Sequence, residues 1–554
     1  MKKLLALTLA LILSLSLFSG CGSAIEENNI KIISYDDAVK EMNALLTSVR
    51  VSTKDAPIDI DTLPDNSAAA LADISTFPIT VQGSGQINIE IAAATEFSAA
   101  APDDWMNVVA ERFNRENLTV GGKSVSVSVR KITSGEVVTY MIDGDYRPDV
   151  YVPSNDAWGK MLGESFRVTT LSTRIAGNTA GILMKKSTYD SFIEKYKELN
   201  VGTAMEATLA GDINFAYTNP YTSSTGLNIL TAMLAYFDPS NPVSEKATEK
   251  LIAYQRKSPP VAYTTAVLRN SAAKGVIDAM VMEEQSYINT PELRDYVYVP
   301  QGIRHDHPVY TFDYVSAERQ EAAQLFVDYC LREENQKLAT EKGFNRHDDY
   351  KGVDSGLDGA GYLAAQRIWK QNKNGGQPVI AVFVADVSGS MNGTPLRSLK
   401  ESLIAASSYI GSENYIGLIS YSDSVTINLP IGEFDATQRA KFSGAVKQLT
   451  AGGNTATYDA VMEATKLLLD KQKELPDAKL MMFVLSDGEQ NVGIKYERIP
   501  SIVKALGIPV YTIGYNMSST EELKALASIN EAALINASSD DVVNQLRNLF
   551  NTQL

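Results

Sequence analysis

The sequence predicts an α/β protein of more than one folded unit, and three observations carry that reading. The chain has 554 residues, which at roughly 150 residues per domain predicts three or four domains, too much for one hydrophobic core. Apolar residues make up 44% and charged residues 21%, the balance of a globular chain rather than a disordered or fibrous one. From Gln86 onward, short apolar strands alternate with amphipathic helices, the pattern of mainly parallel sheets covered on both faces. A second unit of the same class, doubly wound, opens at Pro378.

The N-terminus speaks to compartment. Lys2 and Lys3 precede an apolar run from Leu4 to Phe18, shorter than the roughly 20 residues a spanning helix needs. Residues 1–20 therefore read as a signal peptide. The run ends in Phe18-Ser19-Gly20-Cys21, which resembles the lipobox of bacterial lipoproteins, with Phe18 where that pattern prefers Leu. The resemblance implies that Cys21 is acylated and becomes the mature N-terminus. Acyl chains contributing about 0.8 kcal/mol per buried methylene would then hold the protein on the extracytoplasmic face of the cell membrane. An ordinary secretory signal with an incidental cysteine is the alternative. No other segment is long and apolar enough to cross a membrane. Residues 21–85, rich in Ser, Asp, Ala and Pro, read as a stalk. One amphipathic helix interrupts it, with Val39, Met42, Leu45, Leu46 and Val49 on one face.

Ile87 to Ile91 is the first strand, and the next helix carries Trp105, Val108, Val109 and Phe113 at helical spacing. Ser124 to Ile132 is a second strand, a helix follows Ser134, and Pro148 to Pro153 gives a third strand. Ile213 to Tyr217 runs as a strand into Thr222-Ser223-Ser224-Thr225 and a helix. A closing helix from Ala317 places Ala322, Leu325, Phe326, Tyr329 and Cys330 on one stripe, which makes Cys330 a core residue. Residues 86–347 resemble the bacterial extracellular solute-binding proteins. The resemblance rests on Ala93 to Phe97, on Arg147-Pro148-Asp149-Val150 leading to Ser154, on Asn219 to Gly226, and on Ala323 to Tyr329 with Gly343-Phe344. It implies two lobes of the type II periplasmic-binding-protein class closing on a small solute by hinge motion. It also implies a cleft bordered by Thr95, Glu96, Ser154, Thr222, Ser223, Ser224 and Thr225. Hydroxyls and N–H groups at that helix start suit an anion, and a plain N-cap cluster explains them equally well.

Residues 348–377, glycine-rich and charged, read as a linker stiffened by a helix near Tyr362 to Trp369. Val379 to Ala385 is then a continuous apolar run ending in Asp386, as in a central parallel strand buried on both faces. In Asp386-Val387-Ser388-Gly389-Ser390 the oxygen-bearing residues sit at i, i+2 and i+4, so an extended loop presents them to one side. Thr455, and Asp487 after the apolar strand Leu480 to Leu485, fall where open α/β sheets build their sites, at the carboxyl ends of strands. Two carboxylates and three hydroxyls, with no thiol or imidazole, select a hard divalent cation. Mg²⁺ is the first choice, with Mn²⁺ or Ca²⁺ as alternatives. Asp386 is expected to face solvent there and to repel Asp487.

Asp386, Ser388, Ser390, Thr455 and Asp487 match in order the metal-ion-dependent adhesion site of von Willebrand factor type A domains, which residues 378–554 resemble in their doubly wound, Rossmann-like pattern. The resemblance implies metal-dependent binding of a protein ligand that donates an acidic side chain, not catalysis. A net charge of −16 argues against a nucleic-acid partner. Two cysteines and three histidines support neither a zinc cluster nor a disulfide framework. His305-Asp306-His307 reads as structural, and Gly122-Lys123-Ser124 as a hairpin turn. The expected protein is a surface lipoprotein binding a protein ligand. The alternative is a receptor delivering a small solute to a membrane importer, with the metal-binding domain as accessory.

Overall fold

The computed structural model describes residues 30–59, 73–257, 277–488, 490–515, 521–530 and 534–537, with isolated positions between 258 and 276 and after 545. Cys21 and the expected signal peptide lie outside them. Two compact units form, and they are not successive in sequence. One takes Met1–Ala68 together with Pro378–Arg547, the other Ala69–Gln377 with Asn548–Leu554.

The first unit is a seven-stranded sheet in the order Val51–Thr53, Val425–Glu433, Tyr415–Tyr421, Val379–Asp386, Lys479–Ser486, Val510–Tyr515, Leu534–Ala537. Val379–Asp386 is central, parallel to both neighbours and buried along its whole length. That is why it reads as an unbroken apolar run rather than an alternating one. Only Val425–Glu433 runs antiparallel to its inner neighbour. Phe383, Phe483 and Tyr511 stack across three adjacent strands on one face, with ring centroids 5.0 and 5.2 Å apart.

The segment expected to be a stalk is folded into both units, its residues 30–59 into this one and Ile79–Val81 into the other. Val51–Thr53 adds a parallel edge strand, Val51 opposite Val425 and Thr53 opposite Ile427, and Lys54 N–H continues the ladder to the Ile427 carbonyl. Farther on, Asp59 N–H reaches the Ala440 carbonyl and its carboxylate pairs with Lys447 at 2.6 Å. A Cβ at Gly444 would stand 2.0 Å from the Pro57 carbonyl oxygen, so only glycine admits the incoming chain. Helix Tyr35–Leu46 is capped by Ser34, whose side chain accepts from Asp37 N–H, and carries Asp36 and Asp37 in its first turn, where the helix dipole favours negative charge. It buries Ala38 and Met42 in the same core as Ile380, Val382 and Val484, with Val39, Leu45, Leu46 and Val49 packed alongside. The expected apolar face is thus the docking face.

The second unit has two lobes. One sheet runs Ile79–Val81, Lys123–Lys131, Ile87–Ala93, Val150–Val152, Val309–Phe312, Val168–Ser172. The other runs Val261–Ala262, Phe215–Thr218, Ala279–Glu283, Thr179–Lys185, Tyr296–Arg304. Each is mixed rather than mainly parallel. Val309–Phe312 opposes Val150–Val152, and Thr179–Lys185 opposes Ala279–Glu283. Gly121 and Gly122 turn a hairpin at positive φ between Thr119–Val120 and Lys123–Lys131. The chain passes between lobes at 173–178 and at 305–308. Cys330 is fully buried, and burial pushes its thiol up.

The expected linker also belongs to this unit. Helix Gly359–Asn372 buries Tyr362, Ala365 and Trp369 in the core shared with Tyr217 and Tyr254. Trp369 Nε1 and Gln255 Nε2 both donate to the Tyr217 hydroxyl at 2.7 Å. Gly352, Gly356 and Gly375 hold positive φ, which is how a glycine-rich segment turns tightly enough to fold back.

Met42, 2% exposed, tests the role of the first segment. Met42→Ala should destabilise the first unit by about 2–3 kcal/mol and lower its melting by roughly 4–10 °C. The melting of the second unit should not move, as read by calorimetry on the full chain.

Candidate metal centre and interlobe cleft

Asp386 ends the central strand and is fully buried rather than solvent-facing. Its Oδ1 accepts from Ser388 N–H at 2.8 Å and its Oδ2 from the Ser486 hydroxyl at 2.6 Å. The Ser388 and Ser390 hydroxyls lie 3.0 Å apart, and Ser390 donates to Asp487 Oδ1 at 2.8 Å. Four of the five expected residues are therefore joined in one hydrogen-bonded ring. Thr455, expected at the carboxyl end of a strand, lies instead in the loop between helices Ala436–Lys447 and Thr457–Gln472 and comes in through its backbone. Gly452 N–H donates to the Val387 carbonyl and Gly389 N–H to the Gly453 carbonyl, which lays the 452–455 loop against the Asp386 loop. Asn491 Oδ1 holds Thr455 N–H at 2.9 Å.

No lysine or arginine answers the two carboxylates among the described residues. Burial pushes the Asp386 carboxyl above its usual value, opposed by the Ser486 and Ser388 hydrogen bonds and reinforced by the charge of Asp487. Burial raises Asp487 as well, against its hydrogen bond from Ser390. Among the described residues no group of three or more histidine, cysteine or carboxylate side chains is arranged to hold a metal ion. The donor set is two carboxylates with hydroxyl oxygens, which suits a hard dication in near-octahedral geometry. Sequence reasoning missed Ser486 and Asn491, which brace the ring. Ser486 was detectable as the one hydroxyl closing an otherwise apolar strand, whereas Asn491 has no local signal.

In the second unit the expected cleft residues gather at strand ends of facing lobes. Thr95 and Glu96 open the short helix Thr95–Ser98, and Ser154 follows Val150–Val152. His307 Nε2 stands 3.1 Å from Glu96 Oε1, and its Nδ1 stands 2.8 Å from the Ala176 carbonyl. Both ring nitrogens thus lie within hydrogen-bond reach of an oxygen. Burial works to raise Glu96, but the hydrogen bond and charge of His307 outweigh it and hold the carboxyl below its usual range, with Ser154 contributing.

Thr222 to Ser224 do not form an open anion cradle. Ser223 caps helix Ser224–Phe237 through Gly226 N–H, Ser224 Oγ accepts from Trp158 Nε1 at 2.8 Å, and Thr222 is buried. Thr225 donates to Glu283 Oε1. The lobes meet directly. Gly135 N–H donates to the Thr222 carbonyl at 3.2 Å, and Asp103 of the first lobe accepts from Gln285 Nε2 at 2.7 Å. His305 and His307, both fully buried, lie in the 305–308 crossing.

Residues 94–345 match the family described as bacterial extracellular solute-binding protein, and residues 381–551 match the von Willebrand factor type A domain. The chain carries one domain of each kind. Inter-alpha-trypsin inhibitor heavy chain H3 of Bos taurus is 29% identical over 154 residues, 25% of this chain and 17% of that protein. Heavy chain H4 of Sus scrofa is 31% identical over 120 residues, 21% of this chain and 13% of that protein. This chain thus spans less than a fifth of either relative. Among solved structures, a von Willebrand factor type A protein from Catenulispora acidiphila is similar at a TM-score of 0.29 and 18% identity, over 32% of this chain and 42% of that one. The periplasmic binding protein AfuA from Actinobacillus pleuropneumoniae is similar at a TM-score of 0.41 and 13% identity, over 52% of this chain and 98% of that one.

Asp386→Asn preserves both hydrogen bonds, since its amide donates to Ser486 and its carbonyl accepts from Ser388 N–H. In chelator-treated protein this variant should melt about 2–4 °C higher for each ~1 kcal/mol of relieved burial and repulsion. Added Mg²⁺ should raise the melting of wild type and leave the variant unmoved.

Proposed function

We propose that this protein is a lipid-anchored, extracytoplasmic binding protein whose type A domain engages a protein ligand through a divalent cation. The observation that carries the reading is a fully buried Asp386 carboxylate in a ring of hydroxyls with a second carboxylate and no cationic side chain. Asp386, Ser388, Ser390, Thr455 and Asp487 would hold Mg²⁺, or Mn²⁺ or Ca²⁺ in its place. Two carboxylates only neutralise such an ion, which then supplies an electrophilic position for an acidic oxygen of the partner. The chain's own contribution is positional. Ser486 and the Ser388 amide fix both oxygens of Asp386, Asn491 fixes the Thr455 loop, and the sheet beneath holds the ends of Val379–Asp386 and Lys479–Ser486 rigid. The reading is of binding without catalysis, the hydroxyls and carboxylates of the ring serving to hold the ion.

A second reading, capture of a small solute for an importer, is favoured by the buried, facing polar side chains of the two lobes. The metal reading is tested by titrating the full chain with Mg²⁺ in a calorimeter after chelation. One equivalent per chain is expected for wild type and none for Asp386→Asn, and a folded wild type that takes up no Mg²⁺, Mn²⁺ or Ca²⁺ overturns it. The anchor is tested separately. Cys21→Ala should move the protein from the membrane to the soluble fraction, and unchanged membrane retention refutes lipidation.

A further inference from the structure

We infer that the interlobe cleft takes a small amine-bearing solute, its N–H groups on Glu283 and a neighbouring oxygen on His305; this rests on the solute-capture reading of the second unit.

The donor and acceptor inventory of His305 leads there. Asn155 Oδ1 accepts from Ala157 N–H at 3.2 Å and Asn228 Oδ1 from Ile303 N–H at 2.9 Å, which orients both amides. Their Nδ2 groups therefore donate, and both point at His305 Nε2, at 3.1 and 3.4 Å. Nε2 must accept, so the ring proton sits on Nδ1. That Nδ1 is buried without a hydrogen-bond partner. It faces Glu283 Oε1 across 3.9 Å, too far for a hydrogen bond. The pair is not an ion pair either, because burial drives the imidazole down to about 3.

Glu283 ends the strand Ala279–Glu283 and is 4% exposed. Its Oε1 accepts from Thr225, and its Oε2 is buried with no partner. Burial and the charge of Glu96 push this carboxyl up to about 7, against hydrogen bonds from Thr225 and Thr265. The neighbouring carboxyls each have an imidazole within reach. Glu96 has His307, and Glu284 has His347 at 3.1 Å. The cleft thus presents one uncompensated carboxyl and one unanswered N–H donor, from different elements and facing each other. A buried polar group left without a partner is destabilising, so the site is incomplete on its own. An amine satisfies the carboxyl, and a hydroxyl or carbonyl oxygen beside it satisfies His305 Nδ1. A phosphate or other oxyanion meets the carboxyls of Glu283 and Glu96, while the arginines nearby are already paired, Arg269 with Asp103 at 3.5 Å and Arg304 with Asp306 at 2.9 Å.

The test is the thermal shift of the second unit within the full chain, with native mass spectrometry as a second readout. Probes are ethanolamine, L-serine and glucosamine, set against glucose, phosphate, molybdate and fructose 6-phosphate, each at millimolar concentration. At least one amine should raise the melting by several degrees and bind with a Kd at least tenfold below that for the same probe on Glu283→Gln, whose unliganded melting serves as the folding control. Stabilisation by glucose or an oxyanion instead of an amine overturns the solute class while leaving solute capture standing. No shift and no adduct from any probe overturns this inference and weighs against solute capture as well. An amine effect equal in wild type and a folded Glu283→Gln overturns the assignment to Glu283.

Discussion

A carboxylate buried at the end of a central strand is the constraint around which the first unit is arranged. Taking an ionised group out of water costs several kcal/mol unless charge or hydrogen bonds compensate. Asp386 receives two hydrogen bonds but no opposite charge from a side chain among the described residues, and Asp487 adds repulsion. Such an arrangement is poor for stability and well suited to holding a cation. The strand beneath explains how the cost is tolerated. Val379–Asp386 is flanked by parallel partners on both sides, so its end is held by seven buried residues of core rather than by a loop.

The same sheet shows how the two domains share one chain. Its edge strand Val51–Thr53 comes from before the solute-binding domain, and its centre from after it. The solute-binding domain is therefore an insertion within the type A fold, entered after the Asp59 contacts and left before Val379. Residues 378–554 taken alone lack the edge strand and the helix that buries Ala38 and Met42. Work on the metal centre accordingly belongs on the full chain.

Much of the candidate centre was legible because most of its residues sit in short local patterns that need no partner to be recognised: Asp386 to Ser390 after an apolar run, Asp487 after another. What escaped reading depends on distant pairing. Val51-Ser52-Thr53 is three exposed residues whose ladder partner lies 374 positions away, and nothing in their own pattern names it. The face of Val39, Met42, Leu45, Leu46 and Val49 was visible, but not what it covers. Trp369 looked like a linker residue because its partners, Tyr217 and Tyr221, belong to a different stretch of sequence. His305 and His307 were set aside as structural for the same reason. Two imidazoles two residues apart gain meaning only from Glu283 and from Glu96, the latter 211 positions away. The expectation that Asp386 faces solvent failed because the 452–455 loop and Ser486 close over it.

The account stands on a cation at the end of the central strand. Anomalous diffraction from crystals of the full chain grown or soaked in Mn²⁺ tests this most directly. The account predicts one peak within coordination distance of oxygens from Asp386, Ser388 and Ser390, absent in Asp386→Asn crystals. A well-ordered site with no peak at saturating Mn²⁺, or a peak elsewhere with this ring unchanged, would contradict it.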